Sequence, residues 1–485
     1  MRRLLLCVLI GASACGGGNV SDLDASVADT APGDGGLDPN DGARSGSRLK
    51  LTWFVFADGS RQLDGLYDAQ RKESCFIYPN WADGNAYCTP DFGGTIVYTS
   101  ASCTTKVAQV YRDPSCARPP PTYLLDYSTS TCSYQPAHLY TRGAPTSVAQ
   151  YWYKNANGSC SGPFTGASYD FYSVGGEVSL IDLVKLTVSS PVGAQRFGQR
   201  YYQSSDGMRR PGPIHDAMLG VDCYPNVYAD PTVATCVPSG AGYASYDHDA
   251  ACTQPELGIQ TSCPKPTYTE YYDGNACPST APRYYTTGNA VSGTPLYFQS
   301  GSSCVATTPT ANTTYYQVGA QLSLATLQLE TDNAANRRLQ LVHYTTTDGV
   351  RARDYALYDS AKTVQCYPTT MPDGTIRCFP SGGYASTYYA NSACTQQIDL
   401  VDLYGGPSSC GSPPVPKYAS KTITPPPGSC AYSSETHLIT TPYTGPIYTN
   451  YGSCQPFTPT NTRMYNVGPA LPMTDFVSGN VFTDP

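Results

Sequence analysis

"CYPTTMPDGTIRCFPSGGYASTYYANSACT", residues 366–395, sets an Asp-Gly pair almost midway between Cys366 and Cys378, and a third cysteine follows a tyrosine-rich stretch. Asp-Gly between β-prone arms favours a tight hairpin, which would bring equidistant residues opposite each other. Opposed residues at a non-hydrogen-bonded site lie about 4.5 Å apart at Cα, close to disulfide reach. The stretch therefore reads as a stapled hairpin.

The same text recurs with a period near 145. An Asp-Gly turn comes first, at Asp58, Asp206 and Asp348. An aspartate seven residues before a cysteine follows: Asp68, Asp216 and Asp359. Cys-x-Pro stands at Cys88, Cys236 and Cys378, and Ala/Ser-x-Cys-Thr at Cys103, Cys252 and Cys394. Each unit closes on Tyr-x-Val-Gly, from Tyr172, Tyr316 and Tyr465. So many anchors in one order establish a triplication. The units are 49–190, 191–335 and 336–485.

Of twenty cysteines, Cys7 and Cys15 lie near the N-terminus, which leaves eighteen, six per unit. An even count in an exported chain reads as a disulfide framework. Six thiols allow fifteen connectivities, and pairing neighbours gives the expectation Cys75–Cys88, Cys103–Cys116 and Cys132–Cys160 in unit 1. The counterparts are Cys223–Cys236, Cys252–Cys263 and Cys277–Cys304, then Cys366–Cys378, Cys394–Cys410 and Cys430–Cys454. No two cysteines approach the close spacing of a structural zinc site, so no metal is expected.

"MRR", a short apolar run and "ASAC" ending at Cys15 read as a signal segment, 1–14, followed by a lipidated cysteine. The apolar run is shorter than the roughly 20 residues that span a bilayer. Several acyl chains on Cys15 would anchor the protein to a membrane, and Gly16 points to an outer membrane. The Asp- and Gly-rich stretch to residue 48 reads as a solvated tether.

Composition points to an all-β chain. Charged residues make up 14%, while Tyr (41), Gly (45) and Pro (41) are abundant, which suits pleated surfaces and many turns. A net charge of −8 leaves no basic stripe for nucleic acid. About eight short strands per unit would make two four-stranded blades, hence a six-bladed propeller-like array. Three separate small β domains in a row are the alternative.

Chemistry is harder to find. His215 stands where Tyr67 and Tyr358 stand, His343 where Trp53 stands, and His138 and His437 near the slot of Arg283. Each reads as a filler of a structural position. His248 lies between Asp247 and Asp249, but alternating strand residues face opposite ways, which separates it from both. Asp68, Asp216 and Asp359 recur in every unit, which suggests a turn or strand-end role. No serine elbow, phosphate loop or dinucleotide fingerprint is present, and no cofactor is expected. Paired tyrosines at 151, 201, 271, 284, 315 and 388 suit recognition of sugars or proteins, or else pack across strands.

From "ASAC" through "DGLYDAQRKESC" to the Cys-x-Pro and Ala/Ser-x-Cys-Thr anchors, the chain resembles uncharacterised Cys-rich repeat lipoproteins of myxobacterial type. That resemblance implies a lipid-anchored, exported protein of a Gram-negative envelope and no established activity. The expectation is a structural or ligand-binding role, with a glycan or protein as partner. The alternative is an extracellular hydrolase using carboxylates.

Overall fold

The computed structural model describes residues 42–485, apart from short stretches at 114–118, 128–131, 133–134, 156–157, 194–195, 228–232, 273–280, 293–294, 301–302, 335, 372–374, 405–413, 424–432, 451 and 460–461. The signal segment, Cys15 and most of the tether lie outside the described residues. The tether's end does not stay free. Ala43 is buried, Arg44 pairs with Arg209, and the Ser45 hydroxyl donates to Asp484 at 2.8 Å.

The chain is all-β, with no α-helix among the described residues. Its hydrogen bonding is not divided into six separate blades. Each unit gives five strands to one closed ring of fifteen, and keeps a further sheet of seven, eight or seven strands for itself. In unit 1 the ring strands are Leu49–Phe56, Arg61–Asp68, Glu73–Tyr78, Ala86–Pro90 and Val184–Val188. The private sheet is spliced in between the fourth and fifth. That fifth strand bridges units, pairing with Ala86–Pro90 on one side and Phe197–Ser204 on the other. Strand Ser478–Thr483 closes the ring by pairing with Ile376–Pro380 and with Leu49–Phe56. The private sheets, one per unit, are consistent with the alternative of separate small β domains.

Two carboxylates per unit hold the ring together. Asp68, Asp216 and Asp359 are buried, and each takes an arginine from the head of its unit's first strand, Arg48, Arg196 and Arg338, at 2.7 Å. The remaining lone pairs accept backbone N–H groups of the next turn, such as Met218 and Leu219 on Asp216. This is the strand-end role their recurrence suggests.

The turn aspartates reach across units instead. Asp206 accepts from the backbone N–H groups of Arg48 and Leu49 at 2.7 Å, Asp348 from Arg196 and Phe197, and Asp58 from Leu339. Burial pushes the Asp348 carboxyl up, but the hydrogen bonds from Phe197, Thr346 and Arg196 outweigh it and hold the group at about 2. Its contribution is present above the unfolded value near 3.8 and is lost as pH falls through about 2.

Apolar packing follows the same cycle. Phe54 and Phe56 of unit 1 enter the core of unit 3, among Leu339, Leu357 and Ile376. Tyr344, Val350 and Ala352 of unit 3 enter the core of unit 2, and Met208 of unit 2 enters that of unit 1. Each fully buried large side chain contributes roughly 1.5–3 kcal/mol.

The disulfides correct the neighbour rule. Cys75–Cys88, Cys223–Cys236 and Cys366–Cys378 form, as the hairpin argument expects. They are diagonal rather than directly opposed, since Cys75 faces Pro90 and Ile77 faces Cys88. The proline of Cys-x-Pro thus ends the strand, where its missing N–H costs no ladder bond. The third cysteine bonds to the sixth: Cys103–Cys160, Cys252–Cys304 and Cys394–Cys454. This overturns Cys103–Cys116, Cys132–Cys160, Cys252–Cys263, Cys277–Cys304, Cys394–Cys410 and Cys430–Cys454. Sheet pairing is the reason. Strands Gln150–Lys154 and Cys160–Thr165 fold back beside Thr95–Tyr98, setting Cys160 6.0 Å from Cys103 at Cα. Such a bridge closes more than fifty residues and contributes roughly 4 kcal/mol in the chain-entropy account. Cys132 crosses units to Cys263. Cys116, Cys277, Cys410 and Cys430 lie outside the described residues. A framework this dense belongs to an oxidising compartment.

Peptide mapping of the unreduced mature protein is expected to recover Cys132 linked to Cys263 and Cys103 linked to Cys160. A Cys103–Cys116 peptide would overturn that arrangement. Asp216→Ala strips the half-buried Arg196 and the Met218 and Leu219 N–H groups of their acceptor and should lower unfolding stability by about 1–3 kcal/mol. A shift of the urea midpoint worth less than about 1 kcal/mol would mean that the pair does not hold the ring.

Candidate functional site

A groove of about 540 Å³ runs along the seam where unit 1 meets unit 2. Ala86 and the outer strand Val184–Val188 form one wall, and Tyr202, Pro213, Asp222 and Tyr224 form the other. Pro79, Asn80, Asn85 and Ser239 lie on its rim. At this seam Val188 pairs with Tyr202, and Pro213 of the following strand continues the wall that Tyr202 begins.

Asp222 projects into this groove from a charged triad. Its Oδ1 lies 3.0 Å from the Arg200 guanidinium and 2.9 Å from His215 Nδ1. The same His215 nitrogen lies 3.0 Å from Arg200. One ring nitrogen serves one role: protonated, it donates to Asp222, and unprotonated, it accepts from Arg200. Burial and then the Asp222 charge push the Tyr202 hydroxyl above its ordinary range.

The triad occurs only in unit 2. Register places Arg200 on a β-bulge, at the position of Thr52 and Val342. His215 aligns with Tyr67 and Tyr358, and Asp222 with Ser74 and Gln365. Bulges re-aim side chains, and this one turns a guanidinium towards the groove wall. The sequence reading of His215 as a filler of a tyrosine position is half the account. It fills that position and also braces Asp222.

Tyr224 follows Cys223 on its strand, so the buried cysteine forces it outward. Its sisters Phe76 and Tyr367 are similarly exposed, but their rings are engaged. Phe76 packs on Tyr78 and Phe92, and Tyr367 stacks on Tyr355. Tyr224 is 47% exposed and meets no other ring among the described residues.

Four of the paired tyrosines are built into sheets, while Tyr202 lines the groove. Tyr151, Tyr284, Tyr315 and Tyr388 are buried within sheets. Strand alternation buries one member of the adjacent pairs and leaves the other, Tyr285, Tyr316 or Tyr389, half-buried.

A second departure lies in unit 2's private sheet. Asp249 caps its turn through the Thr253 and Gln254 backbone N–H groups. His248 faces Glu256, with Nδ1 3.0 Å from the carboxylate. Asp247 and Glu256 are both almost fully buried, and among the described residues Asp247 Oδ1 and Glu256 Oε2 have no hydrogen-bond partner. Counting from the third cysteine, the sister units hold Tyr98 and Tyr389, Thr99 and Ala390, and Val107 and Ile398 where unit 2 has Asp247, His248 and Glu256. Burial, with the Asp249 charge added, pushes the Asp247 carboxyl to about 6, and burial also raises Glu256. Glu256, eight residues away in sequence, is the partner that adjacency around His248 does not reveal.

The remaining histidines and acids are placed structurally. His343 is buried at the Trp53 position, His437 Nδ1 lies 2.8 Å from the Gly468 carbonyl, and His138 meets Glu177 on an exposed strand. Asp64 and Asp354, on the second ring strands, are both raised by burial. Each is engaged, Asp64 by Thr52 and Arg210, and Asp354 by Tyr344. Unit 3 has a cavity of about 550 Å³ around Tyr443, Phe457 and Arg463, with no acid or histidine in its lining. Among the described residues no His, Cys, Asp or Glu group of three or more is arranged to hold a metal ion, and no helix is long and apolar enough to cross a membrane.

Because the folded state raises the Asp247 pKa, its contribution is most favourable below about 4 and is lost as pH climbs through about 6. Asp247→Asn should therefore raise stability at pH 7.5 by about 1–2 kcal/mol and change little at pH 4. Equal effects at both values, read from thermal midpoints, would contradict the assignment.

No curated protein matches the chain, and no solved structure matches it. A family model does match, over residues 26–476. The chain belongs to that family, a family of unknown function (DUF7481).

Proposed function

We propose that the protein is an exported, lipid-anchored recognition protein that binds its ligand in the groove between units 1 and 2. The observation that carries this reading is the Arg200–His215–Asp222 triad, which unit 2 alone possesses and whose carboxylate, Asp222, lines the groove. A ring of three similar units needs no such triad for closure, since the sister positions hold Thr52, Tyr67 and Ser74 or Val342, Tyr358 and Gln365. The cavity falls in the usual 300–1,000 Å³ range of small-ligand sites. Lipidation of Cys15 would tether the ring to the membrane through the Asp-rich segment.

Binding is favoured over hydrolysis. Glycoside hydrolysis by paired carboxylates needs two that flank the scissile bond. Asp222 is the one carboxylate in the groove lining. Asp64 and Asp354 lie outside that lining, each engaged with neighbours.

The test uses the mature, disulfide-intact chain against a printed panel of glycans and an array of envelope proteins. Captured ligands should lose at least about tenfold in affinity with Tyr224→Ala. Ligands that ignore this substitution, or that emerge cleaved, would overturn the reading.

A further inference from the structure

The groove's chemistry narrows the ligand, and this step rests on the recognition reading above. We infer that the groove takes a neutral saccharide, stacked on Tyr224 and hydrogen-bonded to Asp222 and Asn80.

The first argument is the aromatic face. A tyrosine face carries negative quadrupole density, and the axial C–H groups of a pyranose present a weakly positive, apolar surface to it. Tyr224 is the one of three register-equivalent aromatics whose ring has no ring partner among the described residues. Its sisters show what the position does when it is structural. Phe76 is closed over by Tyr78 and Phe92. Tyr367 is closed over by Tyr355, which belongs to a segment one residue longer than its counterpart in unit 2.

Hydrogen bonding is the second argument. Asp222 Oδ1 is committed to Arg200 and His215, while no bond to Oδ2 is made among the described residues. That oxygen is an acceptor for ligand hydroxyls, held in place by the two bases behind it. Asn80 sits on the rim in a left-handed conformation (φ 58°), with its side chain exposed. Its amide both donates and accepts, as a vicinal diol requires. The Ser239 hydroxyl is already spent on the Asp222 carbonyl at 2.8 Å, and the Asn85 amide nitrogen on Asp83.

Charge is the third. Asp222 is the one ionisable acid or base, apart from the tyrosines, in the lining. Arg200, which would attract a uronate or sialate, is paired behind Asp222 rather than in the groove. An anionic sugar would meet the Asp222 carboxylate with no lysine or arginine among the described residues of the lining, and like charges at such range are unfavourable. A protein partner of standard size needs about 800 Å² of surface on each side, which a groove of this volume does not supply by itself.

The experiment is calorimetric titration of the mature chain with maltopentaose, cellopentaose and mannopentaose, against trigalacturonate and sialyllactose. At least one neutral oligosaccharide should bind, and both acidic ones should bind at least about tenfold more weakly. Tyr224→Ala and Asp222→Asn should each weaken the neutral ligand about tenfold, and Tyr224→Trp should retain it. Both Tyr224 variants alter an exposed side chain, and unchanged thermal midpoints would show that they fold. Preference for an acidic sugar, still lost in Tyr224→Ala, would overturn the neutral class while leaving the groove as the site. Saccharide binding that Tyr224→Ala leaves intact would overturn the groove itself. Failure of all five sugars, with a different ligand lost in Tyr224→Ala, would overturn the saccharide class alone.

Discussion

One carboxylate, used three times, carries the architecture. The aspartate of each Asp-Gly turn leaves its own unit and accepts backbone N–H groups from the first strand of another, so that Asp206 serves unit 1, Asp348 serves unit 2 and Asp58 serves unit 3. Those strand heads also carry the arginines that neutralise the buried Asp68, Asp216 and Asp359. Register, charge compensation and unit contact therefore meet at the same three places. A charge-poor chain spends its few ions where a break would open the ring. A closed ring also has no edge strand to pair with another molecule.

Against that symmetry, unit 2 stands out. It places a guanidinium on the bulge, a carboxylate on the groove wall, and a buried Asp and Glu where its sisters put Tyr, Val and Ile. Buried, unpartnered carboxylate oxygens are costly, and the other two units show that the sheet forms without them. Both departures fall on one unit; the carboxylate of the triad lines a groove, whereas Asp247 and Glu256 are buried. For that reason the groove carries the functional reading and the Asp247–Glu256 region does not.

Much of the fold was legible because the triplication repeats its own grammar. The Asp-Gly turns, the first disulfide of each unit and the recurring aspartates follow from local spacing, which hairpin geometry translates directly into contacts. The third and sixth cysteines do not, because their meeting depends on which strands lie side by side in the private sheets. A sheet spliced between ring strands four and five is invisible to a count of strands, and eight strands per unit fit a propeller equally well. Arg48, Arg196 and Arg338 do recur, each ten residues before its turn aspartate, and that signal was available. The candidate site was less legible. Tyr224 is not one of the paired tyrosines, and its distinction is that its ring meets no other ring among the described residues, a property set by what surrounds it. Glu256 meets His248 through strand pairing across a turn, where adjacency in sequence pointed to aspartates.

On the proposed reading, the seam would couple ring integrity to recognition. The groove is built from two units, so its width is fixed only if units 1 and 2 hold one position relative to each other. Three kinds of bond fix that position. Backbone pairing of Val184–Val188 with Phe197–Ser204 sets the register, Asp206 clamps the head of unit 1, and the Cys132–Cys263 bridge ties the private sheets of the same two units. A ligand that must touch Asn80 from one unit and Asp222 and Tyr224 from the other gains from walls that are already in place, since less motion is lost on binding. On the proposed reading, the Cys132–Cys263 disulfide would serve recognition as well as stability, and an oxidising compartment would be a condition for both.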